Sequence, residues 1–168
     1  MDSEKGQALT AGGAGESRAP AWIPAAWALA VVAADQATKA VARSMLQQGS
    51  PVEVVPGLFN LTLVFNDGAA WGMLGGFRVF FVALALAMLA LMNIRWRGLF
   101  CDTRLGTAAF ALLEGGIAGN VIDRLIAGRV TDFLDFYHGA WHFPCFNIAD
   151  SAICIGVALF FLHSGKRR

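Results

Sequence analysis

Four apolar blocks constrain this chain more than any other feature. They run from about Trp22 to Ala42, Phe77 to Ile94, Leu105 to Ile122 and Ile148 to His163, and a helix of about 20 such residues crosses the hydrocarbon of a bilayer. With 57% of 168 residues hydrophobic and 15% charged, the bilayer is the natural solvent for these blocks. A net charge of +1 with no basic stripe argues against nucleic acid as a partner. The expected fold is integral to the membrane and mainly α, with four transmembrane helices, a small extracytoplasmic β-rich cap and a short interfacial helix.

The first block has a rival reading as a cleavable signal peptide. Ala21 to Ala34 has the length of an h-region, and Val32-Ala33-Ala34 ends in small residues. Against this, the preceding region is weakly basic, and Asp35-Gln36-Ala37-Thr38-Lys39 continues into further helix formers. A retained span is the better reading. Residues 1–20 are rich in Gly, Ala, Ser and charge without an apolar period, which predicts a flexible tail ahead of a single domain over 21–168.

Residues 43–76 change character and form the predicted cap. Gly49, Pro51, Pro56 and Gly57 punctuate them, and Leu61, Leu63 and Phe65 alternate with Asn60, Thr62 and Val64, the period of a half-buried strand. Asn66-Asp67-Gly68 is a turn signal, and Ala69 to Leu74 reads as an interfacial helix anchored by Trp71. Between the third and fourth blocks a loop carries Tyr137, His138, Trp141 and His142, suited to an interface belt. The distribution of Lys and Arg puts both termini in the cytoplasm by the positive-inside rule. Asp123, Asp132, Asp135 and Asp150 then gather at the outer face.

A carboxylate at the end of a membrane segment is costly unless paired, hydrated or used. Asn120, Asp123 and Arg124 share one helical face, and an Asp–Arg pair bracing the helix end accounts for the last two. Asn147 and Asp150 have the spacing of an N-cap with an acid in the first turn, and Asp132 could be a turn or cap residue. What favours chemistry is that Asp132 and Asp150 recur at one membrane face. Two neighbouring carboxyls share a proton, so that one activates water while the other polarises a carbonyl, as in an aspartyl protease.

A metal site is the internal rival, since His138 and His142 are four apart and Asp135 is near. No Glu follows the first His, however, and Gly139 weakens a helix there. Gly115-Gly116-Ile117-Ala118-Gly119 lacks the preceding strand that a phosphate loop needs. Cys101, Cys145 and Cys154 show no C-x-x-C spacing and read as small hydrophobes.

Five motifs occur in order over Asp35 to Ile153: Asp35-Gln36-x-Thr38-Lys39, Asn66-x-Gly68-Ala69-Ala70, Gly115-Gly116-x-x-Gly119-Asn120-x-x-Asp123-Arg124, Val130-x-Asp132-Phe133 and Phe146-Asn147-x-Ala149-Asp150. In these the chain resembles the prolipoprotein signal peptidases (signal peptidase II), intramembrane aspartyl endopeptidases of bacteria. The resemblance implies a catalytic dyad of Asp132 and Asp150, with Asp135 a bystander. It implies supporting roles for Asp35, Asn66, Asn120, Asp123, Arg124 and Asn147, and no metal or organic cofactor. It further implies a monomeric enzyme of the cytoplasmic membrane that cleaves lipid-modified prolipoproteins just before the diacylglyceryl-bearing Cys. Trp71 stands where the family usually has Phe, and Glu114 fits none of these motifs. A carrier or proton relay is the rival from another class, weakened by the lack of an inverted repeat. A structural membrane subunit leaves the outer-face acids unexplained.

Overall fold

The computed structural model of the chain describes residues 20, 22–68, 78–100 and 103–165. Its elements are α1 (Trp22–Met45), β1 (Val52–Val55), β2 (Phe59–Asn66), α2 (Arg78–Leu99), α3 (Arg104–Ile126), β3 (Val130–His138), β4 (Trp141–His142) and α4 (Ile148–Gly165). Among the described residues, three helices are long and apolar enough to cross a membrane: α2 over Arg78–Trp96, α3 and α4. The fourth, α1, buries Asp35 and Lys39.

Helix α3 is the centre, and its glycines explain why. A Cβ built on Gly115 would lie 2.7 Å from the Ala28 carbonyl oxygen of α1, and one on Gly116 would lie 2.5 Å from that of Ala149 on α4. Helix α4 returns the contact through Gly156, whose Cβ would lie 3.2 Å from the Ala109 oxygen. Close backbone approach of this kind is how helices gain contact in lipid, where burial of apolar surface offers little. Helix α2 has no such seam and meets α3 through Met92, Trp96, Phe100 and Phe110. At the start of α3, Thr103 accepts the Gly106 N–H as N-cap. Because backbone cannot rotate away, Gly116→Val is expected to lower stability by about 1–3 kcal/mol or more. Thermal unfolding in detergent measures this, with Gly98→Ala as control, where an added methyl meets nothing within 4 Å.

The four strands form one antiparallel sheet in the order β1-β2-β3-β4. This corrects the expectation of a cap confined to 43–76 and a loop around Tyr137 to His142, since half the sheet comes from residues 130–142. Val130 to Phe133 are all buried, so neighbours on opposite faces are both covered and the usual alternation disappears. Tyr137 stacks on His142 within this hairpin. The helices also outrun the predicted spans, ending at Met45, Leu99, Ile126 and Gly165; Asp123 and Arg124 therefore lie inside the last turn of α3. The tail before Pro20, the interfacial helix expected at 69–74 and its Trp71 fall outside the described residues.

Candidate active site

The sheet and the helix ends meet at one polar cluster. Asp132 enters it from β3, 1% exposed, where its register partner is Val64, just past an irregularity in β2 between Leu61 and Val64. Asn66, at the end of β2, donates from Nδ2 to Asp132 Oδ2 at 3.0 Å, while its own Oδ1 accepts the Gly68 N–H at 3.0 Å and holds the turn. Asn147 donates from Nδ2 to the other oxygen, Asp132 Oδ1, at 2.7 Å.

The same Asn147 starts α4. Its Oδ1 accepts the Asp150 N–H at 2.9 Å, and Asp150 Oδ2 accepts the Asn147 N–H at 3.3 Å, a reciprocal capping arrangement. The cap reading from spacing is therefore correct, and it coexists with the cluster: one amide side chain bridges the helix start to Asp132. Asn120 of α3 completes the join, donating from Nδ2 to Asp150 Oδ1 at 2.8 Å. Its Oδ1 receives Asn147 Nδ2 at 3.2 Å and Lys39 Nζ at 3.0 Å.

Behind this lies a buried ion cluster. Lys39 is fully buried, with Nζ 2.8 Å from Asp35 Oδ2 and 3.3 Å from Asp123 Oδ2. Such a charge is tolerable only when paired and hydrogen-bonded. Asp35 Oδ1 also accepts the Ala149 N–H at 2.9 Å, putting negative charge at the start of α4. Gly119 makes room for this, because a Cβ there would lie 2.6 Å from Asp35 Oδ2. Asp123 Oδ2 accepts the Thr131 N–H at 2.9 Å and so fixes the strand leading to Asp132.

The predicted Asp123–Arg124 brace needs correction. The Asp123 carboxylate turns to Lys39, to Gln36 at 3.1 Å and to Arg43 at 4.0 Å, because the last turn of α3 points it toward α1. Arg124 turns elsewhere, donating to the carbonyl oxygens of Asn120 at 3.3 Å and Gly68 at 3.2 Å, and lies over the Phe81 ring. Asp135 stands apart from the hydrogen bonds of Asp132 and Asp150, paired with His142 Nδ1 at 2.8 Å and with Asn60 at 3.3 Å. Among the described residues no group of three His, Cys, Asp or Glu side chains is arranged to hold a metal ion. Glu114, without a partner from the sequence, receives Asn93 Nδ2 at 2.6 Å.

From the sequence, Gln36 and Lys39 fall within a motif without a role of their own, and Arg43 and Thr131 are not singled out. The signal for Lys39 was present: a cation four residues after Asp35 in an apolar helix is an i,i+4 partner.

Burial raises the Asp132 carboxyl to about 6, with the nearby Asp150 charge adding to the rise and the Asn66 and Asn147 amides opposing it. Between about pH 4 and 6 the folded protein then holds a proton that the unfolded chain has lost. By linkage, stability from this group falls as pH rises through that window, by up to about 3 kcal/mol, and is level above it. Thermal unfolding across pH 4–7 should show this slope, and Asp132→Asn should flatten it.

A model of the family described as Signal peptidase (SPase) II matches residues 27–166. The lipoprotein signal peptidase of Geobacter metallireducens is 46% identical over 131 residues, 76% of this chain and 81% of that one. That of Hydrogenovibrio crunogenus is 45% identical over 152 residues, covering 83% and 84%. A solved bacterial membrane enzyme, determined by the in meso method at 2.3 Å, superposes with a TM-score of 0.81 at 34% identity, covering 89% of this chain and 91% of its own. The chain is thus a membrane peptidase. It belongs to the signal peptidase II family.

Proposed function

We propose that this protein is a lipoprotein signal peptidase that works as an aspartyl endopeptidase, with Asp132 and Asp150 as its dyad. The observation that carries the mechanism is Asn147, which donates to Asp132 while sharing a reciprocal cap with Asp150. The two carboxyls, alike in charge, resist ionising together and hold one proton between them. The ionised member takes a proton from water as the water oxygen attacks the scissile carbonyl, and the protonated member donates to that carbonyl oxygen. As the tetrahedral intermediate collapses and the C–N bond breaks, a gem-diol hydroxyl returns its proton to the carboxylate that had donated one, and the proton taken from water passes to the leaving amine. Asn66, Asn120 and Asn147 orient the carboxyls; Asp35 and Asp123 hold Lys39 behind them; Arg124 supports the turn at Gly68.

The substrate is a prolipoprotein of the bacterial cytoplasmic membrane whose Cys carries diacylglycerol, cut just before that Cys. Supporting this, a groove of about 220 Å³ runs between α2 and α4 beside the dyad, with Phe81, Leu84, Met88 and Ile153 as apolar walls and Asn120 and Arg124 at its polar side. An acyl chain fits such a lining. Helix α1 is the fourth span, both termini are cytoplasmic, the dyad faces outward, and the enzyme acts as a monomer in which residues 21–168 form one domain. The test is a gel-shift cleavage assay in detergent on a diacylglyceryl-modified precursor. Cleavage of the lipidated form alone, unaffected by chelator, is expected. Equal cleavage of the unmodified precursor would remove the lipid from the reading, and loss with chelator would replace the mechanism.

A further inference from the structure

On the substrate reading above, the placement of helix α2 decides which acyl chains fit. Helix α2 meets α3 along a narrow line with space on both sides: the groove toward α4, and on the other flank a cavity of about 400 Å³ toward α1, whose walls include Pro24, Ala28, Trp96, Phe110 and Glu114. Unlike α1 and α4, it has no glycine seam against α3. Two polar pins hold it to α3. At the outer end Arg78 donates to the Leu125 carbonyl oxygen at 3.1 Å, and in the inner half Asn93 Nδ2 donates to Glu114 Oε1 at 2.6 Å. Asn93 Nδ2 also donates to the Leu89 oxygen at 2.9 Å, so both amide hydrogens are engaged. The groove residues Phe81, Leu84 and Met88 lie between the pins, which are about 22 Å apart along the helix at 1.5 Å per residue.

We propose that the Asn93–Glu114 bond sets the spacing of α2 from the bundle and thereby the enzyme's selectivity for acyl-chain length. In hydrocarbon no water stands ready to replace a lost interhelical hydrogen bond. Without the inner pin, α2 pivots about Arg78, and the groove widens most far from the dyad. The inner pin at Asn93 lies about 18 Å along α2 from Phe81, beyond an extended 12-carbon chain that starts there and within the reach of an 18-carbon one.

The test compares kcat and KM for one precursor carrying two 12-carbon or two 18-carbon chains. In Glu114→Ala the KM for the long-chain substrate is expected to rise about three- to tenfold, with kcat and the short-chain KM within about twofold of the parent. Glu114→Gln, which still offers Asn93 an acceptor, should keep the parent profile. The double variant Asn93→Leu/Glu114→Leu, which leaves no polar group unpaired, should reproduce the long-chain defect and carries the test if Glu114→Ala does not fold. Unchanged KM, an equal rise for both chain lengths, or a fall in kcat alone would each overturn the proposal. Parent enzyme that cleaves neither substrate would count against the function itself, whereas an active parent with unaltered variants would count only against the pin.

Discussion

Asp132→Asn and Asp150→Asn should each reduce cleavage of the lipidated precursor by at least about a thousandfold while leaving a folded protein. An amide can neither accept the proton of water nor lend one to the carbonyl. The geometry explains why folding survives. Asn at 132 keeps a carbonyl oxygen for one of its two amide donors, Asn66 and Asn147, and no longer carries a charge that burial disfavours. A lost hydrogen bond offsets that relief, so stability at pH 7 should stay within about 2 kcal/mol of the parent. At 150 the substitution leaves the backbone N–H that Asn147 caps. Unfolding curves recorded beside the rates decide the matter: substantial activity in either folded variant would remove that residue from the dyad.

Lys39→Met should be the most damaging single change to stability. It leaves Asp35 and Asp123, 0% and 4% exposed, opposed without the cation that lies within 3.3 Å of both. Breaking one member out of a buried ion cluster costs about 3–5 kcal/mol, which for a chain of this size lowers the unfolding temperature by roughly 10 °C. Activity should fall too, because Asn120 Oδ1 keeps only the longer bond from Asn147, which loosens the orientation of the amide on Asp150. Combining Lys39→Met with Asp35→Asn should restore part of the stability, since one of the opposed charges is gone. It should not restore cleavage. A Lys39→Met protein as stable as the parent would mean that Lys39 does not hold the buried cluster together.

The helices were readable because an apolar run of span length has few other uses; Asp132 and Asp150 stood out because acids at a membrane boundary need a reason, and both lie in the polar cluster. What stayed hidden depended on contacts between distant residues. Lys39 lies 81 positions from Asn120, and no local pattern announces that pair. Strand β3 escaped because Thr131, Asp132 and Asp135 are buried with Val130 and Phe133, so polarity and burial no longer coincide. The opposite error befell Asp123 and Arg124: adjacency in sequence suggested a pair, while the helix turned them toward different neighbours.

The i,i+4 contact between Asp35 and Lys39 bears on how such a protein is made. If α1 enters the bilayer as a span, it does so long before Asn120 and Asp123 exist. At about 5–20 residues per second, the intervening 81 residues take roughly 4–16 s to synthesise. Through that interval the lysine needs a counter-ion, and Asp35, one turn away, supplies it from the same helix. The first segment is thereby self-neutralised during biosynthesis, and on folding the lysine keeps Asp35 and adds Asp123 and Asn120.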